Sequence, residues 1–207
     1  EKNIVNHLIS ATSPIPEVDL LNRIYSAYPG LQTPDSQLIR ICLQSYGETV
    51  NPGGDAWVLK EKERPATRRQ DIQDMDNLVY ELGQRLGYEV NRKAPRGNVS
   101  VSTWKGDGKQ EYTFLISASG LLGKLILTRP EAPPNPWIVL PGSRAHLVVY
   151  KLSQNQPLAE LVEASWGFLK YRHLRRLVDE DSLTRENIEE RFRLDPLKYD
   201  APQLPLI

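Results

Sequence analysis

The feature that most constrains the fold is the run Trp-Ile-Val-Leu at residues 137–140, which proline closes at both ends. Pro136 precedes the run, and Pro141-Gly142 follows it. Consecutive apolar residues without polar alternation are typical of a short strand that is buried on both faces. Such strands occur in sheets that helices cover on both sides. We therefore predict an α/β fold, a mixed sheet flanked by helices.

Apolar residues at helical spacing predict helices over 17–28, 33–46, 68–86, 143–151, 157–178 and 184–194. Thr33 and Ser143 are expected to cap two of them. Strands are predicted over 56–59, 88–90, 99–104 and 111–118, and residues 120–127 fit a helix or a strand equally well.

The first part of the chain has the element order of a winged helix-turn-helix. Two predicted helices are followed by a Gly/Pro-rich turn at 51–55 and then by a strand. A small helical cap on the next domain is the alternative. We predict a winged-helix-like helical domain over 1–64, a mixed α/β core with C-terminal helices over 65–195, and an extended proline-rich tail over 196–207.

Charge and cysteine content limit the classes of function. Lys+Arg and Asp+Glu are both 26, so any attraction to nucleic acid has to come from local patches. The single cysteine, Cys42, lies in an apolar stretch and is expected to be a buried thiol in a reducing compartment. The sequence has no apolar run of transmembrane length and no signal-peptide pattern, so the cytoplasm is the expected location.

The common catalytic and cofactor motifs are missing. The sequence contains no Gly-x-Gly-x-x-Gly loop, no Gly-x-x-x-x-Gly-Lys-Ser/Thr loop and no Gly-x-Ser-x-Gly elbow. His7, His146 and His173 are far from one another in sequence, and none has metal-ligand spacing to another ligand. No catalytic residue, metal or cofactor is therefore predicted.

Basic residues form local clusters that suit phosphate contacts. In a helix, Arg172, Arg175 and Arg176 would share one face, and phosphate contacts made there would add salt-dependent affinity. A solvated face balanced by nearby carboxylates is the alternative. Arg144 follows the buried strand, at the edge where α/β sheets place their sites, although a simple helix cap also fits. The full predicted nucleic-acid-binding set is Lys170, Arg172, His173, Arg175, Arg176, Arg144, Arg68 and Arg69.

The order from residue 68 onward, with Leu-Gly-Tyr-Glu-Val at 86–90, resembles the core of restriction-endonuclease-like nucleases. In that family one strand carries a metal-binding Asp, and the next carries Glu-x-Lys. This chain has Ser102-Thr103-Trp104 at the first position and Leu115-Ile116-Ser117 at the second. The resemblance therefore implies a degenerate nuclease core that binds DNA without cutting it.

Three phrases, YPGLQTPD, RLGYEV and FLKYRHLRRL, resemble accessory regions of bacterial DNA-modification methylases. Together the resemblances imply a non-catalytic DNA-binding module of a modification or restriction system, with DNA and a methyltransferase or other catalytic subunit as partners. A metal-dependent nuclease is the first alternative, with a displaced site at Asp107 and Glu111 beside Lys105 or Lys109. A protein-protein assembly scaffold is the second.

Overall fold

The computed structural model describes residues 1–28, 30, 33–96, 98–107, 111–127 and 132–198. The N-terminal unit contains α1 (Lys2–Ser10), β1 (Ile15–Pro16), α2 (Glu17–Ala27), α3 (Ser36–Tyr46), β2 (Gly47–Thr49) and β3 (Ala56–Leu59). Its three strands pair antiparallel in the order β1-β3-β2. The N-terminal part is helical with a small sheet, and it contains α1 and β1, which were not predicted from the sequence.

The start of α3 differs from the prediction by three residues. Asp35, not Thr33, caps the helix, and its carboxylate accepts a hydrogen bond of 2.8 Å from the Leu38 backbone N–H. A carboxylate at this position also favours the positive end of the helix dipole. The Thr33 hydroxyl instead donates to the Tyr28 carbonyl.

The body of the protein consists of α4 (Pro65–Arg85), β4 (Glu89–Arg96), β5 (Val99–Lys105), β6 (Glu111–Ser117), α5 (Leu122–Ile126), β7 (Pro136–Leu140), α6 (Ala145–Ser153), α7 (Gln156–Ser165), β8 (Gly167–Lys170), α8 (Tyr171–Val178) and α9 (Ile188–Phe192). The strands form one sheet in the order β4-β5-β6-β7-β8. The first three are antiparallel, while β6, β7 and β8 run parallel. The apolar run at 137–140 is thus a buried interior strand, as predicted.

The single helix predicted over 157–178 is wrong. The segment forms α7, then strand β8, then α8. Gly167 begins the strand and lies directly against the Trp137 indole, where a Cβ atom would come within 2.4 Å of the ring. Gly167 allows the close approach of β8 to the neighbouring strand β7. It was not recognised as the start of a strand, because the apolar residues around it keep helical spacing.

The sheet separates two apolar layers, because side chains alternate along each strand. On one face α4, α8 and α9 cover Trp104, Phe114 and Val139, and on the other α5, α6 and α7 cover Leu115 and Ile138. A third cluster holds the N-terminal unit together and includes the fully buried Cys42 thiol, as expected. Burial raises the pKa of that thiol. Among the described residues, no helix combines the length and apolar character needed to cross a membrane.

The N-terminal unit is attached to the body through α6. Leu147 of α6 belongs to the apolar cluster of the N-terminal unit, and the Tyr150 hydroxyl donates to Asp35 at 2.8 Å. The Ser45 hydroxyl donates to the Ser143 carbonyl at 2.7 Å. One side of α3 is therefore fixed against the body, at the carboxyl ends of the parallel strands.

Candidate nucleic-acid interface

Half of the predicted basic cluster at 170–176 holds the body together. Lys170 is 4% exposed and is paired with Asp195 at 2.7 Å, while Arg172 forms two hydrogen bonds with the same carboxylate, at 2.7 and 2.9 Å. The His173 ring is buried, and its Nε2 lies 2.7 Å from the Arg191 carbonyl oxygen. Lys170 and His173 are thus structural, because both are turned inward from the surface.

Arg175 and Arg176 are exposed on α8, and neither makes an ion pair within the described part of the chain. Several charged groups lie near the buried hydroxyl of Tyr171, the first residue of α8. Burial and the nearby Asp71 carboxylate raise the pKa of Tyr171, and the charges of Arg144, Arg68 and Arg175 oppose that rise. Helices α4 and α8 pack against each other, so charged groups of both helices lie near Tyr171.

Arg144 is fully buried, so it presents no exposed donor to a ligand. Its side chain donates to the carbonyl oxygens of Ala118 (3.1 Å) and Ser45 (2.9 Å), and it forms a buried ion pair with Glu63. The guanidinium also lies 3.6 Å from the centroid of the Tyr46 ring. The inclusion of Arg144 in the predicted binding set is corrected, because every one of these partners belongs to the protein interior. The predicted cap by Ser143 is likewise absent, since a short 3-10 turn, Gly142–Arg144, precedes α6.

Arg68 and Arg69 lie beside a cleft of about 570 Å³ between α1, the start of α4 and the carboxyl end of β6. Arg68 is half-buried, with its guanidinium 5.3 Å from the Tyr46 ring and a long contact of 3.4 Å to the Ala118 carbonyl. Its Nε–H is buried, and no acceptor for it lies among the described residues. Arg69 is exposed. We call this space the carboxyl-edge cleft.

One wall of the carboxyl-edge cleft holds a buried carboxylate, Glu1, that was not predicted as a site residue. Glu1 accepts hydrogen bonds from the Tyr46 hydroxyl, from the Ser119 hydroxyl (2.9 Å) and from the Gly120 N–H (3.1 Å), and it is paired with Lys151. Burial raises the pKa of Glu1, but the Lys151 charge and the hydrogen bonds from Lys151 and Tyr46 outweigh it and lower the pKa to about 2. The carboxylate is therefore ionised and neutralised by its own surroundings.

A second surface that sequence reasoning missed is the exposed side of α3. Gln37, Arg40 and Gln44 recur at positions i, i+3 and i+7 and are all exposed, while the residues between them are buried or half-buried. Arg40 is 63% exposed and is paired with Glu17 at 2.8 Å, an exposed pair of the kind that contributes little free energy. We call these three residues the α3 stripe. Its signal in the sequence was the polar face left over once the apolar positions had been assigned.

The positions that would hold a metal in a restriction-endonuclease-like core carry no ligand set. Ser102 is fully buried and donates to Asp76 of α4 at 2.7 Å. Leu115 is also fully buried and lies in an apolar layer. The described residues contain no group of three His, Cys, Asp or Glu side chains close enough to hold a metal ion.

The predicted alternative metal site, at Asp107 and Glu111, lies at the tip of the β5–β6 hairpin. Asp107 is fully exposed and contacts Arg185 at 3.5 Å, and Glu111 contacts Lys105 at 3.6 Å. Each carboxylate therefore has a cation beside it. Lys109, which was also considered there, lies outside the described residues.

Comparison of the chain with protein-family models, with curated proteins and with solved structures finds no match, so a functional assignment has to rest on the residues themselves.

Proposed function

We propose that the chain is a DNA-binding accessory module that reads duplex DNA through the α3 stripe. The observation that carries this proposal is the exposure of Gln37, Arg40 and Gln44 on the last helix before a two-stranded hairpin. Glutamine and arginine are side chains that form paired hydrogen bonds with the edges of adenine and guanine. Hydrogen bonds join the helix to α6 and to the turn before it, which favours precise positioning of such contacts.

Contacts to the DNA backbone would come from three exposed arginines, Arg69 of α4 and Arg175 and Arg176 of α8. None of them makes an ion pair within the described residues, so no existing partner has to be displaced. Contacts to phosphates supply affinity that falls with salt and that does not depend on base sequence. Arg172 is half-exposed beside Asp195 and adds a smaller contribution.

An accessory role is supported by the body of the protein. The resemblance to restriction-endonuclease-like cores rests on the order of elements along the chain, and the buried residues Ser102 and Leu115 occupy the positions that would bind metal in such a core. The chemistry of modification or restriction would then belong to a partner, such as a methyltransferase subunit in a bacterial system. The cytoplasm is the location that this role requires.

The test is fluorescence anisotropy of the full chain with labelled duplex DNA from a selected random library, over a salt series. We expect binding that weakens steeply with salt, and a triple variant, Gln37→Ala/Arg40→Ala/Gln44→Ala, that loses at least tenfold in affinity, because each paired base contact is worth about 1–3 kcal/mol. Arg193→Ala is the matched control, since this side chain is 69% exposed and, among the described residues, its ion pair is with Glu189 one turn earlier. Unchanged affinity in the triple variant, or no binding at low salt, would refute the proposal.

Loss of Arg175 and Arg176 is a separate test of the backbone contacts. Each substitution by alanine should reduce the slope of log affinity against log salt by about one without changing sequence preference. A change in preferred sequence would mean that these side chains contact bases instead.

A further inference from the structure

The carboxyl-edge cleft combines an unused donor, an excess of positive charge and an apolar rim. Among its described lining residues, the cations are Lys2, Arg68 and Arg69, and the single carboxylate is Glu1. Glu1 is already neutralised by Lys151, so it does not offset the two arginines. The cleft therefore favours an anion.

The Arg68 Nε–H identifies where an anion would be bound. This donor is shielded from water and has no acceptor among the described residues. A buried donor without an acceptor is unfavourable, and an acceptor supplied by a ligand would remove that cost. Arg69 is the next residue on α4 and is exposed at the same cleft. A guanidinium pair of this kind suits phosphate, because arginine donates two parallel hydrogen bonds to its oxygens.

The rest of the lining suits a flat, largely apolar group with polar edges. Ile9 and Leu121 are both 44% exposed, and both line the cleft. The side-chain amides of Asn6 and Asn98 are exposed beside them and can donate and accept. A volume of about 570 Å³ is within the range of pockets that enclose small organic ligands.

We propose that the carboxyl-edge cleft binds one nucleotide that is not base-paired, with its phosphate at Arg68 and Arg69 and its base against Ile9 and Leu121. The same chemistry is offered by a free nucleoside monophosphate and by an unpaired nucleotide within a strand. Only the second source rests on the proposed DNA-binding function. Gln37, Arg40 and Gln44 of the α3 stripe do not line the cleft, and Leu121 of the cleft takes no part in the proposed duplex contacts, so variants of the stripe and of Leu121 test the two sites separately.

The experiment uses the full chain and isothermal titration with AMP, adenosine and inorganic phosphate, followed by anisotropy with labelled single-stranded DNA. If the free nucleotide is the ligand, AMP binds, while adenosine and phosphate each bind at least tenfold more weakly. Arg69→Ala should weaken AMP binding about tenfold or more, since a charge-assisted contact is lost. Leu121→Asp should abolish it by replacing the apolar contact to the base with a hydrated charge. Arg193→Ala, on a side chain that lies outside the cleft, should bind as the unaltered chain does.

The outcomes separate the two proposals. If AMP does not bind but single-stranded DNA does, and if Arg69→Ala weakens that binding while the α3 triple variant does not, the ligand is a nucleotide within a strand. If AMP binds and duplex DNA does not, the cleft stands and the DNA-reading function falls. If Arg69→Ala and Leu121→Asp change neither the affinity for AMP nor the affinity for single-stranded DNA, the cleft proposal is overturned, whatever the affinity of the α3 triple variant.

Discussion

Removing the Arg144 side chain should destabilise the protein more than any change to an exposed arginine. Arg144→Met keeps much of the apolar volume but leaves the Glu63 carboxylate, which is 4% exposed, without its cation. Breaking a buried ion pair from one side costs about 3–5 kcal/mol, because the remaining charge stays buried and unpaired. The carbonyl oxygens of Ser45 and Ala118 also lose donors. We therefore expect a loss of about 3–5 kcal/mol in the free energy of unfolding.

The assay is urea unfolding followed by circular dichroism, with Glu63→Gln and the double variant Arg144→Met/Glu63→Gln completing a double-mutant cycle. The double variant should be more stable than Arg144→Met alone, because neutralising Glu63 removes the unpaired charge. Arg193→Ala should change stability by less than about 0.5 kcal/mol, as expected for an exposed pair. A cost below about 1 kcal/mol for Arg144→Met, or strict additivity in the cycle, would refute this account.

Three further predictions follow from buried groups and from close packing. The free energy of unfolding should fall as the pH decreases from about 4.5 to about 2. The ionised Glu1, whose pKa is lowered to about 2, contributes roughly 3 kcal/mol above that window, and this contribution is lost as Glu1 is protonated. Glu1→Gln should remove this part of the pH dependence in acid titrations followed by fluorescence. Gly167→Ala should cost about 1–3 kcal/mol in urea unfolding, since its Cβ would clash with the Trp137 indole. Asp195→Asn should cost several kcal/mol in the same assay, because Lys170 is buried beside it.

Controls for these predictions are available in the chain. Gly123→Ala places a Cβ no closer than 3.8 Å to a neighbour and lies within α5, so it should be neutral or slightly stabilising. An equal effect at Gly167 and Gly123 would contradict the packing argument. Glu189→Gln tests an exposed carboxylate and should leave the acid transition unchanged. If Glu1→Gln leaves that transition unchanged too, the buried carboxylate does not account for it.

Strand β7 and helices α2 and α3 were predictable because their signals are local. The apolar run at 137–140 and the spacing in 17–28 each report burial directly. The β8 strand was not predictable, since its four residues, Gly167–Lys170, continue the helical spacing on either side and are assigned only by pairing with β7. A strand that is defined by pairing with a segment distant in sequence need not show a strand pattern in its own residues.

The site residues divide in the same way. A basic cluster could be found from sequence, but whether a cation faces water or a buried carboxylate depends on a partner elsewhere in the chain. Lys170 is paired with a residue 25 positions later, and Arg144 with one 81 positions earlier. Arg175 and Arg176 resemble them in sequence and yet are exposed. The α3 stripe was not predicted because most helices of a soluble fold carry exposed polar residues. Only the fold shows that these three lie on the helix before the β2–β3 hairpin.

The bonds of Arg144 also constrain the order in which the chain can fold. Its guanidinium joins Ser45, which is 99 residues away in sequence, and Glu63, which is 81 residues away, and Leu147 completes the apolar cluster of the N-terminal unit. During synthesis the N-terminal unit therefore has to wait, with Glu63 unpaired, until more than 80 further residues have left the ribosome. Contacts of such long range slow folding. The N-terminal unit is thus completed late, by the segment that follows β7.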